Sequence, residues 1–256
     1  MLKSGLCSVS FRKLKVDEII KVCKKAKLDA IEWGGDVHVP VGNLKLAKSI
    51  GNKTRKNGLI TYSYGSYFRS RDPKEFKKIS DTAKALGAKV IRIWAGEKPS
   101  KEFNEKEFKQ LVKVINDCAK IANGNKQIIC FEYHYHTYND YRKSSLKLLK
   151  AINKKNVRTY WQPQYWDDQC SKKLNYKHNI DSIKALAPYV INFHVYNWVG
   201  YTKRYSLKLI KSEFKKYLSS SKNNGYAYLE FFKNDDVKEC YKDAKVLNEI
   251  LKELYK

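Results

Sequence analysis

Short apolar runs rich in β-branched and aromatic residues alternate with amphipathic stretches along the whole chain. The apolar runs predict eight strands, at 5–11, 30–34, 59–64, 89–95, 127–134, 159–163, 190–195 and 226–232. Each run is followed by a helix or by a segment long enough to form one. Because an eight-fold alternation in about 250 residues is what a (β/α)₈ barrel requires, we predict an α/β fold, with one barrel domain over residues 1–256.

Several of the intervening helices carry start and stop signals. Asp72 and Pro73 predict the cap and first residue of a helix that ends at Gly87, and Asn104 can cap the next helix. The last helix is expected from about Asp235 to Tyr255. The structural alternative is an open, doubly wound sheet, but no GxGxxG or P-loop sequence follows the first strand, and no linker divides the chain.

The charge of the chain raises the question of a nucleic-acid partner. The 256 residues include 52 Lys and Arg against 26 Asp and Glu, a net charge of +26, and only 8 of the 52 are Arg. The Lys residues recur along the whole chain at spacings that fit outward helix faces. Readers of phosphates and bases favour clustered Arg with interleaved aromatic residues. We therefore expect no nucleic-acid partner.

Membrane and redox signals are equally plain. The sequence has no run of about 18 apolar residues, as a transmembrane helix would need, and its first residues lack an apolar stretch of signal-peptide length. The six Cys are far apart, with no CxxC pair. This spacing predicts reduced, mostly buried thiols in a cytoplasmic protein without a membrane partner, and argues against a zinc cluster built from Cys alone. The oligomeric state is not indicated.

Rare Trp and His residues concentrate at the ends of the predicted strands, where barrel enzymes carry their chemistry. They are Trp33, Trp94, Trp161, Trp166, Trp198, His38, His134, His136 and His194. Together they indicate a pocket with flat apolar walls that suits a small polyhydroxylated substrate. The alternative for each ring is packing in the core or at the rim. The residues predicted to bind substrate are Trp33, His38, Arg92, Trp94, Trp161 and Trp198.

Four strand ends supply oxygen and nitrogen ligands, namely Glu132, Gln162, His194 and Glu230. The two Glu have apolar neighbours, among which an unpaired carboxylate is costly to bury. One divalent cation would compensate both, and this donor set suits Mn²⁺, Mg²⁺, Co²⁺ or Zn²⁺. The alternative is a set of separate buried residues paired with Arg92, Lys98 or backbone.

Three further features are candidates for a role at the site. His134 follows Glu132 by two positions, so both side chains are expected on the same side of the strand. His134 is therefore a candidate acid or base, or a residue that orients the site. The GGDVH stretch at 34–38 is either a loop that approaches ligand closely or a simple turn. Arg12, Arg69 and Arg92 could hold substrate oxygens or form structural ion pairs.

Several strings resemble one known family, the xylose isomerase-like TIM barrels. They are GLCSVSFR, IEWGGDVHVP, YGSYFR, IRIWAG, YWQP, HVYNW and YLEFFK, and the resemblance covers essentially the whole chain. The superfamily contains sugar isomerases, sugar and sugar-phosphate epimerases and AP endonucleases. In its epimerases Glu, Asp, His and Glu from strands five to eight bind the metal, and the two Glu act as acid and base on opposite faces of the substrate. By resemblance, these roles fall to Glu132, Gln162, His194 and Glu230.

Two departures from the family pattern affect the expected chemistry. Gln162 replaces the family's Asp, and the usual DxxH reads QPQY at 162–165. Weaker retention of the metal should follow from the missing anion. The family's AP endonucleases use three metals and need the DxxH and a DxH, and this chain lacks both at the expected strands. We therefore do not expect AP endonuclease activity.

The resemblance implies a metal-dependent isomerase or epimerase acting on a sugar, sugar phosphate, polyol or keto acid in sugar metabolism. Catalysis would pass through an enediolate, with Glu132 and Glu230 as acid and base and one divalent metal as cofactor. The first alternative is a lyase, because FEYHYHTYND resembles the E-x-H-x-x-T stretch of family dehydratases acting on cyclic polyols or shikimate-type acids. The second is a non-catalytic sugar-binding barrel, which Gln162 favours and the retention of both Glu argues against.

Overall fold

The strands follow one another at the spacing that the sequence predicts. The computed structural model describes residues 1–164, 176–200, 202–221 and 223–255. Its barrel strands are β1 (Lys3–Cys7), β2 (Ala30–Gly34), β3 (Ile60–Gly65), β4 (Val90–Ile93), β5 (Ile128–Phe131), β6 (Val157–Trp161), β7 (Val190–Val195) and β10 (Tyr226–Leu229). A two-stranded hairpin of β8 (Trp198–Val199) and β9 (Lys203–Arg204) lies between β7 and β10 in the sequence. The barrel is closed in the order β1-β10-β7-β6-β5-β4-β3-β2, which confirms the predicted (β/α)₈ fold.

Amphipathic helices separate these strands in the sequence. They are α1 (Val16–Lys25), α2 (Leu44–Lys56), α3 (Pro73–Leu86), α4 (Glu105–Gly124), α5 (Arg142–Ile152), α6 (Tyr176–Leu186), α7 (Lys211–Ser219) and α8 (Val237–Leu254). The predicted caps are confirmed. Asp72 accepts a hydrogen bond from the Lys74 amide at 2.9 Å, and Gly87 ends α3 with φ +88°. Asn104 accepts from the Glu107 amide, and the Glu107 side chain accepts from the Asn104 amide in return.

Five strands end earlier than the apolar runs predict, three of them by three or four residues. The run at 5–11 is strand only to Cys7, because Ser8–Phe11 forms a buried 3₁₀ turn. The run at 226–232 stops at Leu229, and Phe231 takes a left-handed conformation with φ +54°. The run at 127–134 stops at Phe131. The expectation that Glu132 and His134 share one side of a strand is therefore wrong, because both lie in the loop that follows.

Two compact units can be distinguished by their internal contacts. The first consists of residues 1–32, 56–60 and 161–256, and the second of residues 33–55 and 61–160. In the first unit β1 and β10 are parallel, with Gly5 opposite Tyr228. A Cβ on Gly5 would lie 2.5 Å from the Tyr228 ring, so only glycine fits there. In the second unit β3, β4 and β5 are parallel, with Arg92 opposite Cys130. The assignment of residues 1–256 to one domain stays a prediction.

The described residues agree with the membrane and cysteine signals. Among the helices described, none combines the length and apolar character that crossing a bilayer requires. The five cysteines within the described residues are free thiols and all are buried. They are Cys7, Cys23, Cys118, Cys130 and Cys240. Burial raises the pKa of the Cys118 thiol to about 12, so it stays protonated near neutral pH.

Candidate functional site

Three of the four predicted metal ligands come together in the first unit. Gln162 directly follows β6, His194 is the penultimate residue of β7, and Glu230 directly follows β10. Each lies at the carboxyl end of its strand, the end that carries the chemistry of (β/α)₈ barrels. All three side chains are buried, with at most 5% of the residue surface exposed. The strand ends thus collect one amide, one imidazole and one carboxylate out of contact with water.

The imidazole of His194 is the centre of this group. Its Nδ1 lies 2.7 Å from the amide oxygen Oε1 of Gln162 and 3.1 Å from Oε2 of Glu230. Both oxygens are acceptors, so in this arrangement Nδ1–H is the donor to both. One nitrogen and two oxygens from three strands therefore converge on one point.

The opposite edge of the His194 ring faces a second carboxylate, which the sequence analysis did not single out. The Nε2 atom lies 3.8 Å from Oε1 of Glu32, and the thiol of Cys7 donates to the same oxygen over 3.7 Å. Glu32 lies in β2, whose sequence is AIEWG, and only 1% of its surface is exposed. Its signal was a carboxylate with apolar neighbours, the same one that marked Glu132 and Glu230.

Two buried carboxylates flank His194, so this group favours positive charge. Burial alone would lower the pKa of His194, but its neighbours, Glu230 first among them, outweigh burial and hold that pKa well above its usual value. Burial, reinforced by Glu32, raises the pKa of the Cys7 thiol well above its usual value, so the thiol is neutral. The positive charge that the two carboxylates require can come from a proton on His194 or from a bound cation.

Glu132, the fourth predicted ligand, lies in the second unit with partners of its own. Its Oε2 accepts from the indole Nε1 of Trp94 at 2.5 Å and forms a buried ion pair with the guanidinium of Arg92. The pairing with Arg92 that the sequence left open is therefore present. Lys98, the other candidate partner, pairs with Glu107 at 2.7 Å.

Trp94 is itself held by its neighbours in the second unit. The Arg69 guanidinium lies 3.8 Å from the centre of the indole, which stacks with the His134 ring at 4.9 Å and 17°. Nδ1 of His134 lies 2.7 Å from the carbonyl oxygen of Tyr135. Because a carbonyl oxygen only accepts, Nδ1 carries the hydrogen, and in the neutral ring Nε2 is the basic nitrogen.

Most of the remaining predicted substrate-binding residues pack against other side chains in the core. Trp33 is fully buried, donates to Thr54 Oγ1 at 3.2 Å and has the ring of His38 at its edge. Trp161 is also fully buried and donates to Ser182 Oγ at 3.2 Å.

Trp198 belongs to the hairpin of β8 and β9 and lies beside Phe231, with ring centres 5.3 Å apart. Trp166 lies outside the described residues. Substrate contacts by Trp33, His38, Trp161 and Trp198 stay predictions.

A comparison with protein families decides the classification. The family model described as the xylose isomerase-like TIM barrel matches residues 20–197. The chain belongs to the xylose isomerase-like TIM barrel family. The match spans β2 to β7 and includes Gln162 and His194.

Relatives of this xylose isomerase-like barrel differ in the reactions that their names give. The chain is 21% identical over 208 residues to a 3-dehydroshikimate dehydratase of Bacillus anthracis, which covers 77% of this chain and 72% of the relative. Among solved structures it is similar to the probable 3-DHS dehydratase AsbF of B. anthracis, at 18% identity and a TM-score of 0.79 over 96% of this chain and 99% of that one.

Two further structures of the same fold are similar over almost their whole length. The IOLI protein with a bound zinc atom has 17% identity and a TM-score of 0.75 over 99% of both chains. The D-psicose 3-epimerase of Clostridium cellulolyticum H10, solved with D-tagatose, has 14% identity and a TM-score of 0.72 over 99% of both chains. At these identities the similarity establishes the fold and not the reaction.

Proposed function

We propose that this xylose isomerase-like barrel is a metal-dependent isomerase or epimerase of a small sugar, sugar phosphate, polyol or keto acid. The observation that carries the proposal is the convergence of Gln162 Oε1 and Glu230 Oε2 on Nδ1 of His194. A fully buried imidazole beside a carboxylate and an amide oxygen is a donor set that suits a divalent metal site. The epimerase and the zinc-bound protein among the structural neighbours support the same conclusion.

The residues present fit a divalent cation. The carboxylate of Glu230, the imidazole of His194 and the amide of Gln162 supply mixed oxygen and nitrogen donors, as Mn²⁺, Co²⁺ and Zn²⁺ sites do. The buried carboxylates of Glu230 and Glu32, on either side of the His194 ring, favour a cation as well. A divalent ion bound there would polarise a substrate carbonyl and acidify the neighbouring C–H group. The role of Glu132 as a fourth ligand stays a prediction.

Proton transfer would fall to the carboxylates. Glu230 contributes a buried carboxylate at the end of β10. Glu132, the second acid or base predicted by the sequence, has one oxygen bonded to Trp94 and Arg92, which fixes its orientation before substrate arrives. Orienting a general base in advance lowers the barrier because no side-chain freedom has to be lost in the transition state.

Dehydration is the second candidate, and the state of His134 is the observation that favours it. Elimination of water needs a group that can protonate the departing hydroxyl. His134 donates from Nδ1 to the Tyr135 carbonyl, so in the neutral ring Nε2 is the nitrogen that can accept a proton. The dehydratase among the relatives supports this candidate.

Deuterium exchange tests both candidates without knowledge of the physiological substrate. Isomerisation, epimerisation and dehydration through an enediolate all begin by breaking a C–H bond next to a carbonyl. A panel of ketoses, keto-polyols, inososes and shikimate-type keto acids, with and without phosphate, is incubated with enzyme and metal in D₂O and followed by NMR. We expect metal-dependent exchange at that carbon with net isomer formation, and a loss of at least about 10²-fold in Glu230→Gln.

The other outcomes are separable. If the substrate loses water, and if this loss is abolished in His134→Gln, the protein is a dehydratase and not an isomerase. Tight binding without exchange would indicate a sugar-binding barrel. Exchange that survives in the Glu132→Gln/Glu230→Gln double variant would contradict the assignment of proton transfer to these two residues.

A further inference from the structure

Glu32 is a buried carboxylate that neither the family resemblance nor the proposed chemistry uses. It lies in β2, with Cys7 directly opposite it in β1. Only 1% of its surface is exposed, and its Oε1 receives the Cys7 thiol at 3.7 Å and faces His194 Nε2 at 3.8 Å. Burying a carboxylate is costly unless polar partners compensate it, so the place of Glu32 at the edge of the His194 ring calls for an explanation.

The two nitrogens of His194 face different kinds of partners. Nδ1 points to the oxygens of Gln162 and Glu230, at 2.7 and 3.1 Å. Nε2 points to Glu32. An imidazole that binds a metal through one nitrogen commonly gives the hydrogen of the other to a carboxylate, which fixes the tautomer and the plane of the ring and makes the ligand more basic.

We propose that Glu32 is the positioning residue of His194: its carboxylate accepts the Nε2–H and so holds Nδ1 toward Gln162 and Glu230. The Cys7 thiol, which donates to the same oxygen, would keep the Glu32 carboxylate in place. The inference rests on the proposed metal site and assigns to β1 and β2 a part in building it. It also explains why the run AIEWG carries an acidic residue among apolar ones.

A competing arrangement can be stated from the same atoms. One ligand atom each from Cys7, Glu32 and His194 lies within 4.8 Å of the others, so a metal could instead bind on the Nε2 side with a thiolate ligand. The distances favour the first arrangement, because two oxygens lie 2.7 and 3.1 Å from Nδ1, whereas the Glu32 oxygen lies 3.8 Å from Nε2. The two arrangements differ in which nitrogen carries the hydrogen.

The first test measures zinc affinity by competition with a chromophoric chelator. In Glu32→Ala we expect affinity to fall by about 10- to 100-fold, the usual effect of losing the partner of a metal-binding imidazole. Glu32→Gln keeps an acceptor oxygen and should recover part of the loss. Asp243→Asn is the matched control, because Asp243 is also a buried carboxylate in the first unit but bonds to Ser206 and Leu207. It should bind zinc as the wild type does.

The second test is long-range ¹H–¹⁵N NMR of His194 in the zinc-loaded wild type, assigned with His194→Gln. We expect a protonated Nε2 and a zinc-shifted Nδ1. This measurement needs no Glu32 variant, so it determines which nitrogen of His194 carries the hydrogen even if Glu32→Ala does not fold.

Failure of the inference differs from failure of the metal site. If the wild type takes up no zinc, both the proposed metal site and the role of Glu32 are wrong. If the wild type binds zinc and Glu32→Ala binds it equally well, the metal site stands and only the positioning role of Glu32 is wrong. A protonated Nδ1, or a thiolate-to-cobalt absorption band that Cys7→Ser abolishes in the Co²⁺-loaded protein, would overturn it in favour of a metal on the Nε2 side.

Discussion

Single side chains determine how the interior of this barrel tolerates its buried carboxylates. Glu132 is paired with Arg92 and Trp94, Glu230 contacts His194, and Glu32 accepts from Cys7. A buried charge is tolerated only when opposite charge or hydrogen bonds replace the lost water. The partners differ in kind: a guanidinium and an indole for Glu132, an imidazole for Glu230, and a thiol for Glu32.

The amide at position 162 offers a direct test of the charge of the site. Replacing Gln162 by Asp adds an anion to the group around His194 Nδ1, so we expect divalent-metal affinity to rise by at least about tenfold, because added ligand charge tightens binding. Isothermal titration with Mn²⁺ measures it. Gln162→Asn is the control, since it shortens the side chain equally without adding charge. Equal affinities in the Asp and Asn variants would contradict a role for charge at this position.

The Arg92–Glu132 pair predicts a difference between single and double substitutions. Both side chains are almost fully buried. Arg92→Met leaves the Glu132 charge without its ion partner and should cost about 3–5 kcal/mol of unfolding free energy. Arg92→Met/Glu132→Gln removes both charges and should recover most of that loss. Urea unfolding measures both values. Additive losses would mean that the pair is not an energetic unit.

At the scale of elements, the predicted order and type of strands and helices were confirmed, while strand ends were less predictable. Alternation of apolar and polar residues is local, so it identifies β2 and α3 directly. The end of β5 depends on a loop closed by side chains, in which Asn139 donates to the Glu132 carbonyl and to Thr159. The sequence HTYND at 136–140 contains turn-forming residues that could have indicated this end.

Contacts between side chains on different strands could not be predicted from the sequence, for a physical reason. The approach of Glu32 to His194 depends on the register of β1 with β2, β10 with β7 and β1 with β10. A shift of one residue along a strand moves a side chain to the other face. Apolar neighbours can therefore indicate that a carboxylate is buried, but its partner depends on the assembled sheet.

Helix α8 carries a carboxylate whose effect on stability depends on pH. Asp243 accepts from the Leu207 amide at 2.9 Å and from Ser206 Oγ at 3.2 Å, and burial raises its pKa to about 6 from an ordinary value of 3.8. Because its pKa is higher in the folded state, the protonated form is favoured there. Its stabilising contribution is complete below about pH 4 and is lost as pH rises through about 6.

Asp243→Asn keeps an acceptor oxygen and removes the titration. Between pH 4 and 7 the unfolding free energy of the wild type should therefore fall relative to this variant, by roughly 2–3 kcal/mol. Urea unfolding across this range measures the difference. Parallel curves for the two proteins would contradict the assignment of this pH dependence to Asp243.

The charge of the whole molecule is spread over exposed faces with a local concentration in the second unit. Surface ion pairs such as Lys211 with Glu249 neutralise part of it. A cavity of about 1130 Å³ includes six basic residues in its lining, namely Arg69, Arg71, Lys98, Lys106, Lys109 and Lys113. Two of them pair with acidic neighbours, Arg71 with Glu97 and Lys98 with Glu107. A cluster of surface Lys and Arg attracts anions weakly and in a salt-sensitive way, and it does not recognise a base sequence.

The charge of the chain therefore does not indicate a nuclease, and we expect none. Incubation with a duplex containing an abasic site and divalent metal at about 0.15 M salt should give no incision, and any retention of the duplex should vanish as salt is raised. Gel electrophoresis of the labelled strand measures incision. Metal-dependent cleavage that is absent in Glu132→Gln would instead assign the site to DNA repair chemistry.

The central claim is that a divalent metal binds at the ends of β6, β7 and β10, and metal content tests it most directly. The wild type, His194→Ala and Glu230→Gln are loaded with Mn²⁺ or Zn²⁺, desalted and analysed by plasma emission, with circular dichroism as the check on folding. We expect about one ion per wild-type chain and a clear loss in both variants. A folded wild type that holds neither metal after loading would contradict the account.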